Sequence, residues 1–401
     1  MIRHLFKMVW NRKRTNALIM VEILFSFLVV FALVAAGLEL GVLYGSPLGY
    51  RYDDVWSVSV DRGANDYGSW DAGSAATFRR LADEARTLPE VVAVAAGDNA
   101  PFSSSITSST WDIDGRELEA ESAAVAQSYS DVLQLDLIQG RWFEEQDSAL
   151  DWEPTVITAR LATLAFGDED PVGRVLMERD DETKGSKERR VVGVISEFRR
   201  GGDLAQPVSF FFRPACEQRD DGAPLDTLLI RLAPGTSADF EEPLLARLQG
   251  IAGTWTFTVK PLAVSRESQL RQILVPLTII GLIAAFLLAM VVLGLIGVMW
   301  QNVTRRTREI GLRRATGARR SNIQRQIVAE VMITASLGVI VGGLLAIQVP
   351  LIGAFSFLSF DIVLLALLAS AVFMLGLAGF CGLYPGWTAT RVHPAEALHY
   401  E

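Results

Sequence analysis

The sequence predicts an α-helical membrane protein with four transmembrane helices and a large α+β extracytoplasmic domain that carries an inserted β-rich subdomain. Three observations predict it. Four apolar runs, within residues 17–44, 271–300, 327–349 and 362–384, each reach the roughly 20 residues that a helix needs to cross a bilayer. Lys and Arg gather before the first run and between the second and third, while residues 350–361 hold none. By the positive-inside rule both termini and residues 301–326 face the cytoplasm, and residues 45–270 and the 350–361 hairpin lie outside. The outer stretch is acidic: residues 44–270 carry 22 basic and 39 acidic side chains, a net of −17 against −9 for the whole chain. That balance argues against nucleic acid as a partner and leaves cationic ligands or adaptors open.

In residues 1–16, Ile2, Leu5, Phe6, Val9 and Trp10 recur at helical spacing among basic residues, the pattern of an amphipathic helix on the inner membrane face. The first apolar run is longer than a signal-peptide core and is expected to stay as an uncleaved anchor. It contains Glu22 near its inner end and Glu39 near its outer end, each placed for snorkelling or an interhelical hydrogen bond. The uncharged second run, Ile273–Trp300, would extend about 42 Å as a helix against about 30 Å of hydrocarbon, so tilt or an outward stalk must take up the excess. Gly338, Gly342 and Gly343 in the third run, and Gly376, Ala378, Gly379 and Gly382 in the fourth, form small-residue faces for close packing within the subunit. Cys216 and Cys381 fall in the outer domain and the fourth run and give no disulfide framework.

In the outer region, Val55–Val60 alternates as a strand, Ala75–Leu88 reads as a helix and Val91–Ala96 as a buried strand. Thr227–Leu232, Ala238–Leu248 and Thr254–Val259 repeat the strand, helix, strand order. The two β–α–β units predict one α+β subdomain built from residues 45–109 and 201–270, flanking a strand- and turn-rich insert at 110–200. Gly140, Gly167, Pro171 and Gly173 mark turns in the insert. Asp168, Glu169 and Asp170 invite a metal reading, but consecutive carboxylates point apart and an exposed turn is expected. Asp180–Lys187 reads as an exposed hairpin tip.

The most concentrated chemistry is Arg305–Gln326, R-R-T-R-E-I-G-L-R-R-A-T-G-A-R-R-S-N-I-Q-R-Q, with eight arginines and one acid, Glu309. Glu309 stands four residues from both Arg305 and Arg313, the spacing of helical ion pairs. Ile310, Ala315, Ile323 and Ile327 suggest helical pieces, Gly311 and Gly317 breaks between them, and Ser321 an N-cap for the next helix. Charge alone is equally compatible with a loop that only sets topology.

R-T-R-E-I-G-L-R-R-A-T-G-A-R-R resembles the signature loop of MacB/FtsX-type ABC transporter permeases, and the resemblance extends over almost the whole chain. Tyr129–Asp147, with its G-R-W-F, is similar to the family's run ending in G-R-x-F; L-A-T-L-A-F-G-D-E-D-P-V-G at 161–173 and V-V-G-V at 191–194 continue the match. The tail Tyr384–Glu401, of which 385–401 is expected in the cytoplasm, is similar to the family ending, with His399 where arginine is common. The resemblance implies an elbow helix at 1–16, stalks above the first two spans, and a porter subdomain formed by 45–109 with 201–270. It also implies that 301–326 is the cytoplasmic surface that docks on the ATPase. Its coupling residues would be Arg305, Arg308, Glu309, Ile310, Gly311, Arg313, Arg314, Gly317, Ala318 and Arg319.

No G-x-x-x-x-G-K-[ST] phosphate loop and no H-E-x-x-H occur, and His4, His393 and His399 lie near the termini. No catalytic, metal or cofactor site is therefore expected in this chain. MacB proper carries a fused N-terminal ATPase, so here ATP and Mg are expected on separate ABC ATPase subunits, two per complex. The implied function is a type VII permease subunit in the bacterial inner membrane, paired with a second copy or a paralogue, that turns ATP hydrolysis into movement of its outer domain. The cargo would be a peptide, drug or toxin, or a lipoprotein. A periplasmic adaptor, an outer-membrane channel and membrane lipids are further candidate partners. Two rivals stay open: an FtsX-like signalling subunit that activates an external cell-wall hydrolase, and a sensor subunit assisting a kinase, against which four spans argue.

Overall fold

The computed structural model describes residues 13–63, 72–103, 108–113, 116–177, 188–215, 225–305, 312–313, 316, 319–351 and 358–389. The amphipathic segment before Lys13, the hairpin tip at 180–187, Cys216 and the tail from residue 390 lie outside the described residues. Described elements begin with α1 (Lys13–Gly45), β1 (Val55–Asp61), α2 (Ala72–Arg86), β2 (Val91–Gly97), β3 (Ser108–Ile113), β4 (Arg116–Val125), α3 (Tyr129–Leu133) and β5 (Leu137–Gly140). They continue with β6 (Glu153–Thr158), α4 (Ala159–Phe166), β7 (Val175–Met177), β8 (Arg189–Ile195), β9 (Phe210–Pro214), β10 (Thr227–Leu232), α5 (Glu241–Ile251) and β11 (Thr256–Pro261). Three long helices complete the chain: α6 (Leu262–Arg305), α7 (Arg320–Leu351) and α8 (Phe360–Ala389). The chain divides into two compact units, residues 43–273 and residues 1–42 with 274–401.

In residues 43–273 the strands form one sheet in the order β11-β1-β10-β2-β4-β9-β6-β8-β5, with β3 on β4 and β7 on β8. The first four interleave the two ends of the region. β1 lies antiparallel between β10 and β11, and β10 lies antiparallel between β1 and β2. This is the split β–α–β arrangement, in which each unit's strands are separated by a strand of the other. The period of two sorts the side chains. Trp56, Val58 and Val60 of β1 and Leu228, Ile230 and Leu232 of β10 meet Phe78, Leu81 and Ala85 of α2 and Leu244 and Leu248 of α5. Val55 and Leu229 turn to the opposite face and join Tyr129, Val132 and Leu133 of α3 with Phe210 and Phe212 of β9.

The inserted strands continue this sheet through a narrow seam. β2 and β4 share one register pair, Gly97 with Val125. The Ala126 N–H donates to the Ala96 carbonyl at 2.9 Å and the Asp98 N–H to the Ala124 carbonyl at 3.1 Å. The Asp98 carboxylate accepts the Ala124 N–H at 2.9 Å, standing in for a ladder carbonyl. β9 runs parallel to β4 and antiparallel to β6, so strand pairing carries the inserted set to Pro214, past the expected boundary at residue 200. The reason is that β9 alone bridges β4 to β6.

Four helices are long and apolar enough to cross a membrane: residues Met20–Gly45, Leu262–Arg305, Arg320–Gln348 and Phe360–Leu383. α6 has 44 residues, about 66 Å at 1.5 Å per residue. Pro276 lies within it, where the imide nitrogen cannot donate to the preceding turn. In the unit of residues 1–42 with 274–401, the four helices share one apolar core that includes Ile23, Phe27, Val291, Leu295, Val331, Ala335, Ala366 and Ala378.

Candidate coupling site

The α6–α7 junction is the site singled out by its arginines. Arg308, Glu309, Ile310, Gly311, Arg314, Gly317 and Ala318 lie outside the described residues, and with them both expected ion pairs of Glu309. Arg305, Arg313 and Arg319 are described, and all three are exposed, as are Arg320 and Arg325. The junction is anchored by its flanks: buried Ile323 in the first turn of α7 packs on Val303 near the end of α6 and on Ile327. Arg313 donates from Nη1 to Gln326 Oε1 at 2.8 Å, tying the loop to α7. Thr316 closes a local turn, its N–H donating to the Leu312 carbonyl at 3.0 Å and its hydroxyl to the Arg313 carbonyl at 3.0 Å. Helix α7 begins at Arg320, so Ser321 lies inside the first turn rather than capping it. The Arg319 carbonyl already accepts the Asn322 N–H at 3.0 Å and starts the turn one residue earlier.

Behind this junction the glycines set the helix packing. A Cβ on Gly338 would stand 2.9 Å from Ile23 Cγ2, and one on Gly342 would stand 2.6 Å from Phe27 Cδ1. One turn of α7 is thus matched to one turn of α1, glycine against side chain at both levels. A Cβ on Gly382 of α8 would lie 3.5 Å from Val328 Cα of α7, and the Glu22 carboxylate lies over Gly294 of α6, 3.0 Å from where a Cβ would be. Glu39 is buried in α1.

The motifs of the sheet-bearing unit are structural. Gly140 and Gly193 are register partners across β5 and β8. A Cβ on Gly140 (φ +73°) would meet the Val192 carbonyl oxygen at 2.2 Å, and one on Gly193 the Arg141 carbonyl oxygen at 2.2 Å. The Arg141 guanidinium grips Asp147 with two hydrogen bonds, of 2.8 and 2.6 Å, which hold that carboxyl below its ordinary value against the opposing effect of burial. Asp168, Glu169 and Asp170 are exposed. Asp170 accepts from the Val172 N–H at 3.0 Å and from Gln139 at 3.1 Å, and Glu169 pairs with Arg174.

Sequence reasoning passed over F-R-R-G-G-D at 198–203. Arg199 is 1% exposed, yet the hydrogen bonds of its guanidinium among the described residues go to carbonyls. Nη1 donates to Leu43 O at 2.8 Å and Ser46 O at 3.0 Å, and Nη2 to Ala205 O at 2.8 Å and to Asp203 O. Leu43 lies in the last turn of α1, where its carbonyl also accepts the Ser46 N–H at 3.2 Å, so the cation sits at the negative end of the helix dipole. Asp203 accepts two hydrogen bonds from Arg266 in α6, at 2.7 and 2.9 Å. Burial pushes the Asp203 carboxyl up; Arg266, by hydrogen bonding and charge, outweighs this and holds it below its ordinary value. The signal available in the sequence was the G-G pair: Gly202 has φ +91°, a conformation that glycine accepts without strain.

The family model described as MacB-like periplasmic core domain matches residues 17–244, more than half of the chain, and that described as FtsX-like permease C-terminal matches residues 281–394. The chain belongs to the MacB/FtsX-type ABC transporter permeases. Among curated relatives of this MacB/FtsX-type permease, the macrolide export ATP-binding/permease protein MacB 1/2 of Paracoccus denitrificans is 30% identical over 306 residues, 73% of this chain and 44% of that protein. The macrolide export ATP-binding/permease protein MacB of Chromobacterium violaceum is 25% identical over 407 residues, 98% of this chain and 59% of that protein. The permease chain thus spans about half the length of the curated MacB relatives it matches. The crystal structure of the periplasmic region of MacB from Actinobacillus actinomycetemcomitans aligns with 54% of this chain and 92% of that one, at 14% identity and a TM-score of 0.39.

Proposed function

We propose that this permease is a subunit of a MacB-like, type VII ABC transporter in which ATP hydrolysis by ABC ATPase subunits, two per complex, moves the periplasmic domain by mechanotransmission. The observation that carries the reading is the presence, in one chain, of a MacB-like periplasmic core match over 17–244 and an FtsX-like permease match over 281–394. The loop between them and the ATPase is the α6–α7 junction, whose described arginines are exposed and so available to an acidic docking surface. Tight glycine packing between α1 and α7 supports helices that shift as packed bodies. In this reading two permease copies, or this chain with a paralogue, pair in the inner membrane, with their termini and the junction in the cytoplasm. The cargo is a peptide, drug or toxin, or a lipoprotein, taken from the periplasm or the membrane.

The test is affinity purification of the chain in mild detergent, with mass spectrometry of the eluate and an ATPase assay, repeated for Glu309→Lys, Arg313→Glu and Gly317→Pro. Recovery of an ABC ATPase with the wild type, lost in the three variants, supports the reading. Full ATPase binding and turnover in all three would overturn the role given to the junction. Recovery of a cell-wall hydrolase with no dependence of any export on the chain would instead favour the FtsX-like signalling reading.

A further inference from the structure

Three neighbouring side chains of the 199–203 loop hold three different elements, all within residues 43–273. Arg199 binds the carbonyls at the end of α1, Leu43 and Ser46. Arg200, also buried, donates from Nε and Nη2 to Glu121 of β4 at 3.0 and 2.9 Å. Asp203 takes both hydrogen bonds of Arg266 in the second turn of α6, and the Arg266 guanidinium lies 5.0 Å over the Tyr52 ring. Further contacts close the triangle. The Arg199 N–H donates to the Leu48 carbonyl at 3.0 Å and the Phe102 N–H to the Arg200 carbonyl at 2.7 Å, while Gln269 of α6 donates to the Phe102 carbonyl at 2.9 Å. The Tyr50 hydroxyl donates to the Arg199 carbonyl at 3.2 Å.

The loop has no freedom to do otherwise. Gly202 is held at φ +91° with Phe102 2.9 Å from where its Cβ would be, and a Cβ on Gly201 would stand 2.7 Å from that of Ala205. This tight path lets one guanidinium reach both the end of α1 and its own loop's carbonyls at Asp203 and Ala205. The two helices therefore share one residue of the loop: the Asp203 carbonyl that Arg199 binds belongs to the residue whose carboxylate holds Arg266.

From this geometry we infer that residues 199–203 are the junction through which displacement of either α1 or α6 is passed to the other helix and to the sheet, with Arg199, Arg200 and Asp203 as its positioning residues. The inference rests on the proposed function in one respect, since it names the element that would receive helix movement in a mechanotransmitting permease. The junction itself needs no ATPase to be tested.

The experiment is hydrogen exchange, read by mass spectrometry, on the full chain in detergent, comparing wild type with Arg266→Gln and Arg266→Lys. Arg266 also hydrogen-bonds Tyr44 in the last turn of α1, so its variants loosen both helices directly and peptides covering 43–50 and 262–270 should both exchange faster. The deciding arm is Arg199→Lys, because the hydrogen bonds of Arg199 go to the end of α1 and to its own loop and none to α6. Acceleration of about tenfold or more in 262–270, as local opening requires, with β6 and β8 unchanged, supports the junction. Acceleration confined to 43–50 overturns it, as does uniform acceleration across the sheet, which would mean general unfolding. Coupled exchange in a chain that recovers no ATPase would keep the junction and remove the transporter reading; recovered ATPase with uncoupled exchange would do the reverse.

Discussion

Gly342 stands so close to Phe27 that a Cβ on the glycine would lie 2.6 Å from the phenyl ring. Gly342→Leu therefore forces α7 away from α1, and overpacking of this kind costs about 1–3 kcal/mol. The thermal midpoint of the detergent-solubilised chain should fall, and adding Phe27→Ala should recover part of the loss. Gly343 has nothing within 4 Å of its Cβ position; Gly343→Ala should leave the midpoint within experimental scatter.

Gly140→Ala and Gly193→Ala should each destabilise the sheet-bearing residues, because either new Cβ meets a facing carbonyl oxygen at 2.2 Å. The first also puts a side chain at φ +73°. A loss of about 2 kcal/mol or more is expected for each. Because the two glycines share one register position, the double variant should cost less than the sum of the singles. Urea unfolding followed by tryptophan fluorescence measures all three.

Arg199→Met should cost about 3 kcal/mol or more, since it leaves four carbonyls that now accept from a charged donor to find other partners in a buried site. Arg199→Lys keeps the charge but has fewer donors in a less fixed geometry, and should fall between wild type and the Met variant in the same unfolding assay.

Stability should carry a pH signature from the seam of the sheet. Asp98 is 7% exposed, and burial pushes its carboxyl up to about 6, against the Ala124 hydrogen bond and the Arg213 charge that pull it down. The unfolded chain releases this proton near pH 4, whereas the folded chain keeps it until about pH 6. Between those values the folded state binds the extra proton, so this residue's contribution falls as pH rises from about 4 to 6 and is flat above. The full effect is about 2–3 kcal/mol. Asp147 and Asp203, whose carboxyls are held low, act with the opposite sign: they stabilise above their unfolded values, and that stability is lost as pH falls below about 4. Asp98→Asn should remove the slope between pH 4 and 6 and leave the acid limb; a slope unchanged by the substitution would contradict this assignment.

What the sequence disclosed follows from the range of the forces involved. Alternation in Val55–Val60 and the strand-like apolar run in Thr227–Leu232 are local patterns, and β1 and β10 lie where they place them. The apolar runs likewise report their surroundings residue by residue, and helices fill them. The glycines of G-R-W-F and V-V-G-V were visible as turn and motif residues, but that they face each other across β5 and β8 is a matter of register. Least legible was Arg199. In R-R-G-G-D it looks like one more surface arginine, and its burial depends on carbonyls more than 150 positions earlier. At the α6–α7 junction the start of α7 falls at Arg320, one residue before the expected cap at Ser321, and the Ile323 contact with Val303 requires the two helices to be folded back together.

The split β–α–β arrangement has one more consequence. Trp56, near the start of β1, is the register partner of Pro261 at the end of β11, so the polypeptide enters and leaves the sheet one strand spacing apart. A domain with adjoining ends behaves as a cassette: it can be lifted out of its host, or exchanged for another with similarly adjoining ends, without pulling the flanking segments apart. Such a gene can exchange its outer region by recombination while the segments on either side stay as they were.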